Sequence, residues 1–105
     1  MKQFILPICL LSLLVGTLAT YGVDMSIYQG AVSASTFSCM KNAGFDFAII
    51  QVVDGGSINT NCPYTVSQAW AGGMAHVDIY AFLCPYCGSD GAAGQVSQLT
   101  RAFLP

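Results

Sequence analysis

The sequence has few charged side chains and lacks glutamate altogether. Its 105 residues include five acidic residues, all of them aspartate, three lysines plus arginines, and one histidine. A protein that binds nucleic acid through the phosphate backbone needs a stripe of lysine and arginine. Three such residues cannot form a stripe, so nucleic acid is excluded as a partner. Aspartate is also left as the only side-chain carboxylate for acid–base chemistry.

The first residues have the layout of a secretory signal peptide. Residues 1–3 supply a short basic start, and residues 4–15 are apolar apart from Pro7 and Ser12. Small residues follow at 16–19, which predicts cleavage after Ala19. The apolar run is shorter than the roughly 20 residues that span a bilayer. We therefore predict a signal peptide at 1–19, one small domain at 20–105, no membrane association after signal removal, and a secreted protein, extracellular or in a lysosome or gut lumen.

Cysteine usage agrees with export. Cys9 leaves with the signal, and the mature chain keeps Cys39, Cys62, Cys84 and Cys87. In an oxidising compartment this even set predicts disulfides, and four cysteines allow three pairings that the sequence does not distinguish. Zinc would need two cysteine pairs, or cysteine with histidine at helical spacing, and only one pair here has ligand-like spacing. We therefore predict no metal site.

Apolar strands alternate with amphipathic helices along the mature chain. The nearly continuous apolar run at 45–53, followed by Asp-Gly-Gly, predicts a buried strand. The predicted elements are strand 22–25, helix 35–42 capped by Ser35, strand 45–53, helix 61–72, strand 76–83 and helix 91–103. Helices between consecutive strands predict parallel pairing, so the fold class is α/β.

Functional residues of a parallel α/β sheet lie beyond the carboxyl ends of its strands. This rule selects Asp24, Asp54 and the corner at 84–86. It excludes Asp46, which precedes its strand, and it assigns His76, at the start of a strand, a structural role. The candidate site therefore lies at one edge of the predicted sheet.

Four short motifs accompany the predicted strands. The mature start carries an Asp-x-Ser pattern at 24–26, followed by Gln29. The second strand contains Phe-Ala-Ile-Ile-Gln at 47–51, and the third reads Val-Asp-Ile-Tyr-Ala-Phe at 77–82, with Pro-Tyr-Cys-Gly following at 85–88. In these features the chain from residue 21 onward resembles the N-terminal portion of the glycoside hydrolase family 25 (Chalaropsis-type) lysozymes, in their secreted eukaryotic branch.

The resemblance implies a modified TIM-type β/α barrel, of which this chain would form three β/α units. The implied activity is cleavage of the β-1,4 bond between N-acetylmuramic acid and N-acetylglucosamine in bacterial peptidoglycan, in digestion or antibacterial defence. Asp24 would be the first-strand carboxylate that positions substrate and stabilises developing positive charge. Asp54, Tyr86 and Gln29 are the candidates for substrate contact. No cofactor is needed, because carboxylates do the chemistry.

One chemical group of that mechanism is missing. Glycoside hydrolysis needs a carboxylic acid that protonates the leaving oxygen, besides a second carboxylate. The resemblance places that acid in an Asp-x-Glu pair on the fourth strand, and no Asp-x-Glu occurs here. Residues 90–105 correspond to the helix before that strand. We therefore expect hydrolysis by the family mechanism to require sequence beyond Pro105.

Two other functions stay open. One is an inactive, lysozyme-like fragment that binds glycan. The other is thiol–disulfide redox chemistry, because Cys-Pro-Tyr-Cys at 84–87 resembles the redox centre of glutaredoxins, where a helix N-terminus lowers a thiol pKa. Position argues against redox chemistry: in thioredoxin-like proteins the motif follows the first strand, and a cis-proline strand lies downstream.

Burial of the strands is predicted to be incomplete. Three strands separated from an eight-stranded barrel have apolar faces and an unpaired edge that the missing strands would have covered. Helices on one side of the sheet cannot cover all of the apolar strand residues Met25, Ile50, Val52, Ile79 and Ala81. Tyr80 is predicted to fill the core or the barrel interior. We expect the isolated mature chain to be poorly stable or to self-associate, and a cooperative thermal transition of a monomer would contradict this.

Overall fold

The computed structural model describes residues 19–103, so the predicted signal peptide lies outside the described residues except for Ala19. This part of the chain forms four strands and three α-helices in the order β1 (Tyr21–Met25), α1 (Ala34–Asn42), β2 (Phe45–Gly55), β3 (Ser57–Ile58), α2 (Cys62–Ala71), β4 (His76–Leu83) and α3 (Gly91–Phe103). A short 3₁₀ helix, Ile27–Gln29, follows β1. The six predicted elements are confirmed, with bounds within two residues of those predicted.

β2 is the central strand of the sheet. β1 runs parallel to it along one side, with Asp24 opposite Ile49. β4 runs parallel to it along the other side, with Tyr80 opposite Gln51. The carboxyl ends of these three strands therefore meet at one edge, as the alternation of strands and helices predicts.

β3 corrects the prediction of an all-parallel sheet. The chain reverses after β2 at Gly55, whose φ of 60° is readily adopted by glycine. β3 then pairs with the end of β2 in the antiparallel direction. The side-chain amide of Asn59 donates to the carbonyl oxygen of Gln51 over 2.8 Å and holds the returning chain. The fold is α/β with a mixed sheet, and the β/α-barrel portion stays a prediction.

The cap of α1 lies two residues before the predicted one. Ser33, not Ser35, has the extended backbone of an N-cap residue, and its Oγ accepts from the backbone N–H of Thr36 over 3.4 Å. Ser35 lies in the first turn, where its side chain contacts Ser33 Oγ at 2.9 Å. Both serines precede the apolar face of the helix, so only the backbone conformation distinguishes the cap.

The core lies between the sheet and the first two helices. Phe37 of α1 and Ala69 of α2 are fully buried against β2, where Ala48 and Ile50 are also buried. Alternate positions of β2 point to the opposite face. That face therefore stays free of α1 and α2, and it carries the polar residues described below.

The two helices approach each other closely at Gly72, directly after α2. A Cβ atom at this position would clash with the Phe37 side chain and would lie 2.7 Å from the carbonyl oxygen of Ala34. We expect Gly72→Ala to lower the free energy of unfolding by about 1–3 kcal/mol, because the close-packed helices cannot accept the extra methyl group. Urea unfolding followed by circular dichroism measures the change.

Gly56→Ala is the matched control. A Cβ atom at Gly56 would lie 3.5 Å from the Cys87 Cβ, which is an ordinary contact. Replacing glycine by alanine lowers the conformational entropy of the unfolded chain at both positions, but at Gly56 it introduces no clash. The free energy of unfolding of this variant should therefore be unchanged or slightly higher. Equal midpoints for both variants would show that α1 and α2 do not pack as described.

β4 is the least covered strand of the sheet. Met25, Ile50 and Val52 are buried, whereas Ile79 is 46 % exposed and Ala81 is exposed. The prediction that the helices cannot bury all five residues is confirmed. Within residues 19–103, β4 pairs only with β2. Its outer edge and much of its apolar surface are therefore open in this part of the protein.

Candidate functional site

Polar side chains from three strands meet at the carboxyl end of the sheet. Asp24 is exposed near the end of β1, and Asp54 is half-buried at the end of β2. Asp24 pairs with Ile49, and Tyr80 pairs with Gln51, two residues further along β2. Side chains two residues apart on a strand share a face. Asp24, Gln51 and Tyr80 therefore lie together on the face that α1 and α2 leave free.

A β-bulge brings Asp54 to the same face. Regular alternation would place residues 51 and 54 on opposite faces, because they are three positions apart. The register against β4 instead shifts between Gln51 and Val53, so that Gln51 pairs with Tyr80 and Asp54 pairs with Phe82. The bulge thereby adds a second carboxylate to the face that carries Asp24.

Gln51 fixes the position of two of these groups. It is 4 % exposed, and its Oε1 accepts from the backbone N–H of Ile27 over 2.9 Å. That bond orients the amide so that Nε2 donates to Asp54 Oδ1 over 3.2 Å. The buried amide therefore links the turn after β1 to the carboxylate at the end of β2.

The turn after Asp24 is held by Ser26 and Gln29. Ser26 caps the 3₁₀ helix, and its backbone N–H and Oγ both donate to Gln29 Oε1. The spacing of Ser and Gln in the motif is therefore that of a capping box. Gln29 is exposed, and its side-chain oxygen is used inside the turn, which leaves only its amide nitrogen for a ligand.

Tyr80 faces the two carboxylates instead of filling an apolar core. The pKa of Tyr80 is raised above its usual value. The largest cause is burial, followed by the charge of Asp24, hydrogen bonding to that carboxylate, and the charge of Asp54. Each cause favours the neutral phenol over the phenolate. The prediction that Tyr80 fills the core or the barrel interior is therefore corrected in part: it is half-buried and belongs to the polar site.

Alkaline titration tests this arrangement. Absorbance of the phenolate should show one tyrosine that ionises above the usual range, and Asp24→Asn should lower its pKa by removing a negative charge. Because folding raises the pKa of Tyr80, this residue stabilises the folded protein at pH values below the pKa of an unfolded tyrosine, near 10. That contribution to stability is lost as the pH rises through the pKa of Tyr80 in the folded protein. Tyr80→Phe should abolish the late step, whereas Tyr28→Phe, at an 85 % exposed position, should preserve it.

Tyr86 lies in the loop between β4 and α3 and is 96 % exposed. The flanking Cys84 and Cys87 form a disulfide. Since α3 begins at Gly91, neither cysteine lies in the first turn of that helix. The helix terminus that would activate a thiol in a glutaredoxin-like site is therefore absent from this motif.

The other two cysteines correct the expectation of a fully paired set. Cys39 is exposed on α1, Cys62 is buried at the start of α2, and both are free. Burial raises the pKa of the Cys62 thiol. Only one of the two possible bridges is therefore formed among the described residues.

The opposite end of the sheet carries the two residues that the strand-end rule excludes. Asp46 pairs with Lys41 at the amino end of β2. His76 begins β4 and is exposed. Across residues 19–103 there is no cluster of three or more histidine, cysteine or acidic side chains that could hold a metal ion. No helix in that range is long and apolar enough to cross a membrane.

The sequence of the chain is similar to those of known lysozymes and lysozyme-like proteins. The family described as "Lysozyme-like protein 1" matches residues 16–103. The chain is also 38 % identical over 102 residues to "Probable GH family 25 lysozyme 2" of Dictyostelium discoideum. The chain belongs to the glycoside hydrolase family 25 type of lysozymes.

Further relatives of this lysozyme-family chain come from two organisms. "Lysozyme-like protein 5" of Caenorhabditis elegans is 39 % identical over 97 residues, which are 91 % of this chain and 43 % of that protein. "Probable GH family 25 lysozyme 4" of D. discoideum is 37 % identical over 90 residues, 85 % of this chain and 41 % of the relative. The match to lysozyme 2 covers 96 % of this chain and 46 % of the relative. The chain thus spans less than half the length of these lysozymes. No solved structure matches it.

Sequence reasoning selected Asp24 and Asp54 but missed Gln51 as a site residue in this lysozyme-family chain. The signal was present, because a single glutamine in an apolar strand must find hydrogen-bond partners when it is buried. Tyr80 was assigned to the interior because Phe82 shares its strand face. Its position opposite Gln51 follows only from the register of β4 on β2.

Proposed function

We propose that this protein is part of a secreted lysozyme that cleaves the bond between N-acetylmuramic acid and N-acetylglucosamine in bacterial peptidoglycan. The observation that carries the proposal is the exposed carboxylate of Asp24 at the carboxyl end of the sheet, beside Tyr80 and on the face with Asp54. Family membership supports a glycosidase. Open strand ends with carboxylates supply the surface that a glycan needs.

Asp24 acts as the electrostatic carboxylate in this proposal. Glycosidic cleavage develops positive charge on the sugar ring, and a fixed carboxylate stabilises that charge. Tyr80 lies beside Asp24, whose charge raises the pKa of the phenol, so Tyr80 stays neutral and can donate to this carboxylate. Gln51 fixes Asp54 through Oδ1, so that the second oxygen of Asp54 is left for a sugar hydroxyl or an N-acetyl N–H group.

Protonation of the leaving oxygen requires a further group. The 105 residues contain no glutamate, and they span 46 % of the D. discoideum lysozyme 2. We therefore assign the general acid to sequence outside these 105 residues. In this proposal the present chain contributes substrate binding and one of two carboxylates.

Tyr86 and Gln29 extend the proposed glycan surface. The ring of Tyr86 is almost fully exposed and can stack on a pyranose ring. Gln29 offers its amide nitrogen as a donor, because its oxygen is bound to Ser26. Both residues lie in segments that directly follow strands, at the carboxyl end of the sheet.

Incubation of the full chain with insoluble peptidoglycan tests the proposal. Co-sedimentation together with release of new reducing ends supports a hydrolase that is complete in this sequence. Co-sedimentation without release supports the binding part of the proposal, which is also the alternative function of an inactive glycan-binding fragment. Absence of both, with a folded protein, counts against peptidoglycan as the ligand.

The extent of the natural product decides the role of the missing acid. Intact mass of the native protein and the 3′ sequence of its transcript show whether an Asp-x-Glu strand follows. A longer product that releases reducing ends, where the 105-residue chain does not, supports an acid outside this sequence. Equal release by both would overturn that assignment.

A further inference from the structure

The loop between β4 and α3, residues 84–90, carries a motif that the proposed hydrolase chemistry does not use. Its first half is closed by the Cys84–Cys87 disulfide. A backbone hydrogen bond from the N–H of Cys87 to the carbonyl oxygen of Cys84, 3.3 Å long, lies inside the same ring. We call this segment the cysteine loop. Tyr86 in this loop is 96 % exposed.

The disulfide packs onto the turn that follows Asp54. A Cβ atom at Gly55 would lie 4.0 Å from the Cys87 Sγ and 3.8 Å from the Cys84 Cβ. The side chain of Cys87 approaches Gly56 in the same way. The loop and the turn together border a cleft whose other wall is α3, at Gln95 and Gln98. The shape of the cysteine loop therefore sets one wall of this cleft, next to the turn that follows Asp54.

The side chain of Gln95 in α3 holds the cysteine loop through hydrogen bonds. It is 4 % exposed, and its Oε1 accepts from the backbone N–H of Cys84 over 3.0 Å. Its Nε2 donates to the carbonyl oxygen of Cys84 over 2.9 Å and to that of Cys87 over 3.3 Å. Gln95 thus holds Cys84 through two good hydrogen bonds. Cys87 is held by two longer bonds of 3.3 Å, to Gln95 and to the carbonyl oxygen of Cys84, and by the disulfide.

We infer that the Cys84–Cys87 disulfide is a reducible site that controls the conformation of the cysteine loop and the position of Tyr86. Both cysteines are partly exposed, so a reductant can reach the bridge. The bridge closes a ring of sequence separation 3, and a ring this short constrains the unfolded chain less than a long one. Its reduction therefore acts on the loop more than on the whole fold.

The co-reactant is a dithiol. One of its thiolates attacks a sulfur of the bridge, forms a mixed disulfide and releases the other cysteine as a thiolate, which takes a proton. The second thiol of the reductant then attacks the mixed disulfide and frees the remaining cysteine. Two electrons and two protons pass from the dithiol to Cys84 and Cys87, and the dithiol becomes a disulfide.

The two halves of the loop respond differently. After reduction Gln95 still holds Cys84 through two hydrogen bonds, so the end of β4 stays in place. Cys87 keeps only two longer bonds, each 3.3 Å, to Gln95 and to the carbonyl oxygen of Cys84, and residues 85–90 gain freedom. Tyr86, which lies in this segment, then loses its fixed position. The reduced protein has an open cleft, and the oxidised protein has a fixed wall.

Hydrogen exchange of the full chain, measured by mass spectrometry with and without dithiothreitol, tests this inference. Reduction should speed exchange of the Cys87 amide, the one amide in residues 85–90 with a described acceptor, by about tenfold or more, because local opening needs less free energy, while β2 exchanges unchanged. Cys84→Ser/Cys87→Ser should show the fast exchange under both conditions. Cys39→Ser removes an exposed thiol outside the loop and should respond like the unaltered chain.

Two outcomes would overturn the inference. One is equal exchange of the Cys87 amide in the oxidised and reduced chain. The other is peptide mapping in which Cys84 and Cys87 are not bonded to each other in the oxidised protein. Neither measurement includes peptidoglycan. A failure of the proposed function would appear in the co-sedimentation experiment, so the two failures are distinguishable.

Discussion

Phe37→Ala is expected to lower the free energy of unfolding by about 3–5 kcal/mol, as removal of a fully buried aromatic ring does in other cores. Phe37 has no exposed surface, and it lies where α1 meets both the sheet and α2. Small domains have only about 5–15 kcal/mol of stability in total. The variant should therefore lose most of its folded population in dilute urea, measured by circular dichroism.

Phe82→Ala is the matched control, because the same ring is removed from a position that is 63 % exposed. Its midpoint should stay close to that of the unaltered chain, since little buried surface is lost. A similar loss in both variants would contradict the assignment of the core to the α1 and α2 side. It would indicate that the face of β4 is covered in solution.

The second large effect is expected on turnover. In a form of the protein that releases reducing ends from peptidoglycan, Asp24→Asn should reduce kcat on the order of 100-fold, as loss of one electrostatic contact to a transition state does. KM should change less, because the charge develops mainly in the transition state. Initial rates at several substrate concentrations separate the two constants.

Asp46→Asn is the control for this prediction. It makes the same chemical change at the amino end of β2, where Asp46 pairs with Lys41 on the surface. Such a pair contributes at most about 1 kcal/mol to stability, and we expect normal turnover. If Asp24→Asn were as active as Asp46→Asn, Asp24 would have no electrostatic role in hydrolysis.

The elements of the fold could be predicted because each has a strong local signal. The apolar run of β2 is followed by Asp54 and two glycines, which predict the turn that the structure has at Gly55. Ala92, Val96, Leu99 and Phe103 stand at helical spacing and predict α3, and Leu99 and Phe103 do pack against the core. Parallel pairing of β1, β2 and β4 followed from the helices between them.

The short strand β3 and the cap of α1 could not be predicted from these signals. β3 has two residues, so it carries no periodic pattern, and its pairing depends on the reversal at Gly55 and on Asn59. Ser33 and Ser35 are chemically equal as caps, and the entry direction of the chain decides between them.

The sequence by itself determined the α/β class, the order of strands and helices, and the edge of the sheet that carries Asp24 and Asp54. These follow from local patterns and from the geometry of parallel strands. Only the tertiary structure decided that Asp54 shares a face with Gln51, because a bulge shifts the register after Gln51. It also decided which cysteines pair and where Gln95 binds them. The physical reason is that register, disulfide pairing and buried hydrogen bonds depend on distances between elements, which no local pattern contains.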